Sequence, residues 1–146
     1  MRYLEDINVG EEFEFGRHEV TAEEIVDYAR RYDPQPIHLD DAAAREAGLE
    51  GLIASGWHTA GIYMRMMVDN LLVGGSMMPS PGVDELRWIK PVRPGNILSL
   101  RGKALDARPS RSKPDRGIVR WHFEMINQDG ETVMSLIAIG FLPRRK

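Results

Sequence analysis

The sequence predicts an α+β fold in which an antiparallel sheet of about five strands wraps around one long central helix. Apolar residues recur at helical spacing between residues 21 and 71, whereas from residue 83 onward they recur at every second position. Residues 55–71 carry apolar side chains on much of the predicted helix circumference, as a helix embedded in a core does. Strands that follow the helices in a row favour an α+β protein over a doubly wound sheet.

The first elements are a strand and a helix. Residues 12–20 form the predicted strand. Thr21 and Glu24 then have the spacing of a capping box, in which both side chains bond the first amides of a helix. This helix should end near Asp33, because the residue before Pro34 is disfavoured in the α region.

Two further helices complete the first half of the chain. Asp40 is placed to cap a short helix over residues 41–47. Ser55 is a plausible N-cap for the long helix, and Gly74-Gly75 is its predicted end.

The second half predicts four strands. Residues 83–88 and 97–105 are the first two, and residues 119–125 alternate apolar and polar side chains as a half-buried strand does. Asp129-Gly130 predicts a hairpin turn. Residues 133–141 are nearly all apolar, which predicts a central strand covered on both faces.

Length and composition limit the functions that are open to the chain. Its 146 residues predict a single domain over residues 1–146. A formal net charge of −3 does not favour binding to nucleic acid. Without cysteine there is no disulfide, thiol nucleophile or cysteine-ligated metal site. The four histidines lack close metal-ligand spacing, so we expect no metal.

Hydropathy gives no indication of a membrane protein. No apolar run approaches the roughly 18–20 residues that span a bilayer. The first residues are acidic and lack an apolar signal region. We therefore expect a cytoplasmic protein.

Asp33 and His38 are the candidate acid–base pair. They lie on one short loop between two helices, and Pro34 and Pro36 stiffen that loop. A general acid and a general base must be held within hydrogen-bond reach of one substrate or water. The alternative is that Asp33 is an ordinary turn residue and His38 a loop histidine bonded to its neighbours.

The start of the long helix is a candidate charge-stabilising site. Gly56 in the first turn leaves backbone N–H groups unobstructed, and such groups can stabilise a developing oxyanion. Alternatively, Ser55 only caps the helix and Gly56 allows close packing. His58 either lines the site or lies at the edge of the core beside Trp57.

Three segments, in this order, resemble the MaoC-like dehydratases and (R)-specific enoyl-CoA hydratases. Residues 33–40 (DPQPIHLD) are similar to the family motif Asp-x-Asn-Pro-aliphatic-His-x-Asp. Residues 52–56 (LIASG) match its aliphatic-Ala-His-Gly segment at the head of the central helix, and residues 91–96 (PVRPGN) match the turn before its later strands. The resemblance covers most of the chain and implies the hotdog fold, which agrees with the architecture predicted above.

The resemblance also implies a reaction and a role for each residue. Asp33 would orient and deprotonate the water that attacks the β carbon of an enoyl thioester. His38 would deliver a proton to the α carbon, and the Gly56 amide would hold the thioester oxygen. No cofactor is implied beyond coenzyme A or acyl carrier protein as the carrier of the acyl substrate. Family members are at least homodimers with the pocket at the subunit interface, so we expect a homodimer or a higher homo-oligomer.

Two positions depart from the family pattern. The family's Asn is Gln35 here, and the His before the helix glycine is Ser55. We expect both positions, together with Trp57 and His58 at the pocket mouth, to contact the substrate. The departures therefore concern substrate identity more than reaction type.

The segment of residues 108–117 carries four basic side chains between two strands. Such a loop would attract the phosphates of a coenzyme A carrier, although a solvated hairpin loop is the commoner explanation of a charge run.

Two other functions remain open. A hotdog thioesterase commonly carries its carboxylate or base on the central helix, where this chain offers only Asp69 near the far end. A non-catalytic module that binds acyl thioesters would use the loop only structurally, and the presence of both Asp33 and His38 argues against it.

Overall fold

The computed structural model describes residues 2–75 and 78–146. Their architecture is a five-stranded antiparallel sheet with three α-helices, which confirms the predicted α+β hotdog class. The helices are α1 (Ala22–Tyr32), α2 (Asp41–Glu46) and α3 (Gly56–Asn70). The strands are β1 (Glu12–Glu19), β2 (Met78–Trp88), β3 (Ile97–Pro109), β4 (Arg116–Ile126) and β5 (Thr132–Pro143). Short 3₁₀ turns lie at Leu4–Asp6 and Pro36–His38.

The core lies between α3 and the concave face of the sheet. Tyr63 of α3 meets Phe123 of β4 edge to face, with ring centroids 5.5 Å apart. Around this contact, the buried residues of the helix and of the sheet form one apolar cluster. Removal of the apolar surface of this cluster from water is the main favourable contribution to folding.

The opposite face of α3 is exposed in the single chain. Trp57, Met64 and Val68 are 58%, 49% and 49% exposed, and they follow one another along the helix as what we call the α3 stripe. The prediction of a helix embedded in the core therefore holds for the face that meets the sheet but not for this stripe in one chain. Its apolar residues include a second set that the sheet does not reach.

The helix starts agree with their sequence signals. The Glu24 N–H donates to Thr21 Oγ1 at 3.2 Å, and the Thr21 N–H donates to Glu24 Oε1 at 3.0 Å, which confirms the capping box. Asp40 caps α2 by accepting from the Ala43 N–H at 3.1 Å. Helix α1 ends at Tyr32, and Asp33 is its C-cap.

The long helix starts at the predicted position, but its cap and its end differ from the prediction. It begins after Ser55, but the Ser55 side chain makes no capping bond, because its hydroxyl is bonded elsewhere. It ends at Asn70, earlier than Gly74-Gly75. The Leu72 N–H reaches back to the Met67 carbonyl, and this bond closes the helix.

The strand order is β1-β3-β4-β5-β2, so the middle strand is β4. Strand β5 lies one place from the edge, and its residues alternate between buried and half-buried. The prediction that residues 133–141 are covered on both faces is thus wrong for the single chain, since α3 covers only one face of the sheet. Strand β2 begins at Met78, before the predicted residue 83, and forms an edge.

The connection between β3 and β4 is shorter than the predicted loop of residues 108–117. Arg108 pairs with Ile118 and Pro109 pairs with Gly117, so strand pairing takes in both ends of the segment. Within the described residues, no helix is long and apolar enough to cross a membrane.

Candidate active site

The structure brings Asp33 and His38 together. Asp33 follows the last turn of α1, and His38 closes the 3₁₀ turn that Pro36 begins. Nε2 of His38 lies 3.4 Å from Oδ2 of Asp33, and the two side chains are only 8% and 19% exposed. At this distance the two groups can exchange a proton or share one water molecule.

The ring of His38 has a defined orientation. Its Nδ1 lies 2.8 Å from the carbonyl oxygen of Ile53. A carbonyl only accepts, so Nδ1 carries a hydrogen and donates it. Nε2 is therefore the nitrogen that faces Asp33 and is available for chemistry.

Both carboxylate oxygens of Asp33 accept a hydrogen bond from a side chain. Gln35 Nε2 donates to Oδ1 and Ser55 Oγ donates to Oδ2, each at 2.7 Å. These two bonds lower the pKa of Asp33, against the opposing effect of burial, and the neighbouring His38 lowers it further. The carboxylate therefore stays ionised at a lower pH than a free aspartate does.

Gly56 occupies the first position of α3, where a helix leaves its N–H groups without intrahelical partners. Within the described part of the chain, the Gly56 N–H makes no backbone hydrogen bond. Trp88 packs directly on this glycine, and its indole N–H donates to the Gly56 carbonyl at 2.9 Å. A Cβ on Gly56 would lie 2.3 Å from Cε2 of Trp88, so only glycine fits beneath the indole.

A cavity of about 250 Å³ opens beside these groups. His38, Gly56, Thr59 and Trp88 lie in its wall, and the rest of the wall is mostly apolar, with Ile53, Ala54, Ile89, Pro91 and Val133 beside Lys90. A larger depression of about 540 Å³ lies over β1, β3 and β4, lined mainly by charged side chains such as Glu12, Arg101 and Lys103. We place the site in the smaller cavity because His38 and the free helix terminus at Gly56 lie in its wall. Asp33 is not part of the wall and adjoins the cavity through its contact with His38.

None of the four residues expected to contact substrate lies in the wall of this cavity. Ser55 is fully buried and Gln35 is exposed, and the side chains of both residues bond the carboxylate of Asp33. Trp57 is exposed and meets Trp88 edge to face, with centroids 5.0 Å apart. The wall residues that the sequence did not indicate include Thr59, which lies one helical turn beyond Ser55 on α3.

Trp88 is the principal functional candidate that sequence reasoning missed. It belongs to a strand assigned from its alternating pattern, and nothing in that pattern links it to Gly56, 32 residues earlier. The signal available in the sequence was Gly56. Glycine is unfavourable inside a helix, so a helix glycine often marks a place where another group comes close to the backbone.

His58 lies at the edge of the core between α1 and α3, outside the cavity wall. Its ring stacks on Tyr28 with centroids 4.9 Å apart, and its Nε2 lies 3.7 Å from Glu24 Oε2. The same carboxylate accepts from His18 Nε2 at 2.9 Å. Nδ1 of His58 is buried and has no partner among the described residues. Burial lowers the pKa of His58, although Glu24 opposes the shift.

The buried His58 should make the protein less stable in mild acid. Burial holds the pKa of this imidazole below the ordinary value of 6.5, near which the unfolded chain titrates. The unfolded state therefore binds more protons as the pH falls through that value, and the free energy of unfolding declines. In His58→Phe, which keeps a ring against Tyr28, the decline should be smaller.

Urea unfolding at about pH 7.5 and about pH 5.5 measures this difference. His122→Phe is a matched control, because His122 lies on the outer face of β4. An equal loss of stability in wild type and His58→Phe would contradict the prediction.

The basic segment lies far from the cavity of its own chain. Strand β5 runs from Val133 in the cavity wall to Pro143, which pairs with Arg116 at the base of the segment. Ten residues of extended strand span about 33 Å. Within one chain, therefore, the arrangement gives no support to contact between this segment and a carrier bound at the cavity.

No group of three or more His, Cys, Asp or Glu side chains in residues 2–75 and 78–146 is arranged to hold a metal ion. The polar groups at the cavity include the acid–base pair, the backbone N–H of Gly56, Thr59 and Lys90. Such a set can move protons and stabilise an oxyanion.

The chain is similar to known proteins in sequence and in structure. Residues 6–122 match the family model described as a MaoC like domain. The structure of a MaoC-like dehydratase from Rhodospirillum rubrum is 42% identical, covers 100% of this chain and 99% of that chain, and superposes with a TM-score of 0.92. The unliganded (R)-hydratase PhaJ1 from Pseudomonas aeruginosa shares the fold, with a TM-score of 0.77 at 23% identity over 98% of this chain and 86% of that one.

Mesaconyl-CoA hydratase from Haloarcula hispanica is 29% identical over 116 residues, which are 79% of this chain. Those residues are 31% of the hydratase, so the chain spans about a third of the length of this curated relative.

Proposed function

Because this chain belongs to the MaoC-like domain family of hydratases and dehydratases, we propose that it adds water to a 2-enoyl thioester or removes water from a 3-hydroxyacyl thioester. The observation that carries the proposal is the contact between His38 Nε2 and Asp33 Oδ2 beside a cavity with Gly56 in its wall. Acid, base and oxyanion donor are the three groups that this addition requires.

In the hydration direction, Asp33 accepts a proton from water as the water oxygen bonds to the β carbon. A carboxylate has about four acceptor sites, and the bonds from Gln35 and Ser55 use two of them. His38 then gives the Nε2 proton to the α carbon. The electron pair of the double bond forms the new C–H bond, and Gly56 stabilises the enolate charge that develops on the thioester oxygen.

The cycle closes by proton transfer within the pair. His38 acts as an acid only with hydrogens on both ring nitrogens, and the ionised Asp33 stabilises that imidazolium. After the addition, the proton on Asp33 returns to His38 across the 3.4 Å contact. Dehydration uses the same steps in reverse.

The size and lining of the cavity support a short acyl group. A volume of about 250 Å³ is below the range of about 300–1,000 Å³ that is usual for drug-sized ligands. The mostly apolar wall suits a hydrocarbon segment. The relative from Haloarcula hispanica is named for a coenzyme A thioester, which supports coenzyme A as the carrier, with acyl carrier protein as the other candidate.

A second copy of the chain is the proposed partner. The α3 stripe and the edge strand β2 lie side by side, since Trp57 contacts Trp88. Val83, Trp88 and Ile89 on or next to that edge are 45%, 46% and 53% exposed. An open strand edge beside exposed apolar side chains needs cover, and a homodimer supplies it.

The thioesterase alternative has less support. Its carboxylate on α3 would be Asp69, which lies one residue from the end of the helix and pairs with Arg65 at 2.8 Å. The cavity wall contains Gly56 and Thr59 from the opposite end of α3.

A panel of 2-enoyl-CoAs from four to twelve carbons tests the function. We expect loss of the enoyl-thioester absorbance, with kcat/KM highest for the shortest chains and falling once the acyl group exceeds the cavity. Asp69→Asn should retain this activity. Release of free coenzyme A would instead favour a thioesterase, and no turnover of any member would favour a binding module.

A further inference from the structure

Both departures from the family pattern lie against the same carboxylate. Gln35 replaces the family's Asn and Ser55 replaces its His, and the two side chains bond the two oxygens of Asp33. We propose that Gln35 and Ser55 are positioning residues that act as one unit, here called the Asp33 brace. The catalytic meaning of the brace rests on the proposed function, whereas its effect on Asp33 does not.

Ser55 connects the two parts of the site. It is separated from Asp33 by 22 residues, and the bond joins the end of α1 to the start of α3. The side chain is fully buried and leaves the helix uncapped, so its hydroxyl is committed to Asp33. A bond of this kind sets the position of the carboxylate relative to the neighbouring Gly56 N–H.

Gln35 holds the other oxygen from within the loop. The Gln35 N–H donates to the Asp33 carbonyl at 2.8 Å, which folds the loop tightly at this point. Pro34 and Pro36 on either side restrict the backbone further. The amide of Gln35 therefore reaches Oδ1 from a fixed direction, although the side chain is exposed.

The two bonds together determine which oxygen faces His38. One donor alone leaves the carboxyl group free to rotate about its χ2 angle, which is a broad torsion in aspartate. Two donors, one to each oxygen, hold Oδ2 as the oxygen 3.4 Å from His38 Nε2. Each oxygen keeps acceptor capacity for the attacking water.

The test combines Ser55→Ala, Gln35→Met and the double variant, with two readouts. The first follows the carboxyl ¹³C resonance of Asp33 through a pH titration without substrate, with Asp33→Asn identifying the signal. We expect the titration midpoint to rise in each single variant, because each has lost a donor to the charged form. The second readout is the pH profile of kcat/KM for 2-enoyl-CoA hydration, whose acid limb should move in the same direction.

The kinetic size of the effect distinguishes a brace from two separate contacts. A hydrogen bond to a charged group corresponds to about a tenfold to hundredfold change. The double variant should lose little more than the worse single variant, because either loss already frees the carboxylate. If the losses of kcat/KM in the two single variants multiplied in the double variant, Gln35 and Ser55 would not act as one unit. An unchanged titration midpoint of the Asp33 carboxyl in both single variants would overturn the brace.

Ser112→Ala in the β3–β4 connection is the control for the serine substitution and should change neither readout. Both test substitutions suit the fold, since Ala occupies the space of Ser and the Gln35 side chain is exposed. If the titration midpoints rise while no enoyl thioester is hydrated by wild type, the proposed function fails and the brace stands.

Discussion

Asp33→Asn and His38→Ala should each lower kcat/KM for 2-enoyl thioester hydration by about 10²–10⁴. The amide of the first variant would keep the shape and much of the bonding of the carboxylate but could not accept a proton from water. The second variant lacks the imidazole that lines the cavity. Because the two groups act on one proton path, the double variant should lose little more than the worse single one.

Steady-state rates on the best substrate of the enoyl panel measure this effect, with circular dichroism to show that the fold is intact. Asp129→Asn and His122→Ala are matched controls, since they change the same residue types in a hairpin turn and on the outer face of β4. Turnover at the wild-type rate in either site variant would remove the role assigned to that residue.

The second large effect is expected at Gly56. In Gly56→Ala the new Cβ would lie 2.3 Å from Cε2 of Trp88, an indole that is already bonded to the carbonyl of residue 56. Either the ring or the start of α3 must move. Because the indole is bonded to the carbonyl of residue 56, we expect the start of α3 to shift with it and the N–H to lose its position relative to the thioester oxygen. Loss of one oxyanion donor costs about 10²–10³ in kcat, and overpacking costs about 1–3 kcal/mol of stability.

Gly61→Ala is the matched control for this prediction. It lies in the same helix, and within the single chain a Cβ there meets nothing within 4 Å, so the variant replaces a helix glycine without a clash against Trp88 and should keep its kcat. Because residue 61 lies on the same face as the α3 stripe, the oligomeric state of this variant is measured alongside its rate. Removing the clashing ring in Gly56→Ala/Trp88→Ala should restore part of the stability that Gly56→Ala loses. Measured rates and melting temperatures test this prediction, and wild-type kcat and stability in Gly56→Ala would contradict it.

Local features of the chain were predictable because their causes lie within a few residues. The capping box at Thr21 and Glu24 joins positions three apart. The end of α1 follows from the proline at residue 34. The turn at Asp129-Gly130 connects two alternating strands, and its left-handed glycine has the φ of +75° that such turns use.

The arrangement of strands and helix faces was less predictable. An apolar run such as residues 133–141 predicts a strand with apolar neighbours on both faces, but it does not determine where that strand lies in the sheet. Residues 133–141 lie next to the edge strand because β5 pairs with β4 on one side and with β2 on the other. Strand β4 is its neighbour in sequence, whereas β2 is distant. The α3 stripe shows the same limit, since periodicity reports how many apolar faces a helix has but not what covers each one.

The sequence by itself determined the fold class, the loop that carries Asp33 and His38, and the glycine at the start of the central helix. Each of these depends on short-range backbone preferences or on residue types at close spacing. Only the tertiary structure decided that Ser55 bonds Asp33 instead of capping its helix, and that Trp88 packs on Gly56. Those contacts join residues 22 and 32 positions apart. No periodicity encodes such pairs, because they arise only when α1, α3 and β2 pack around one cavity.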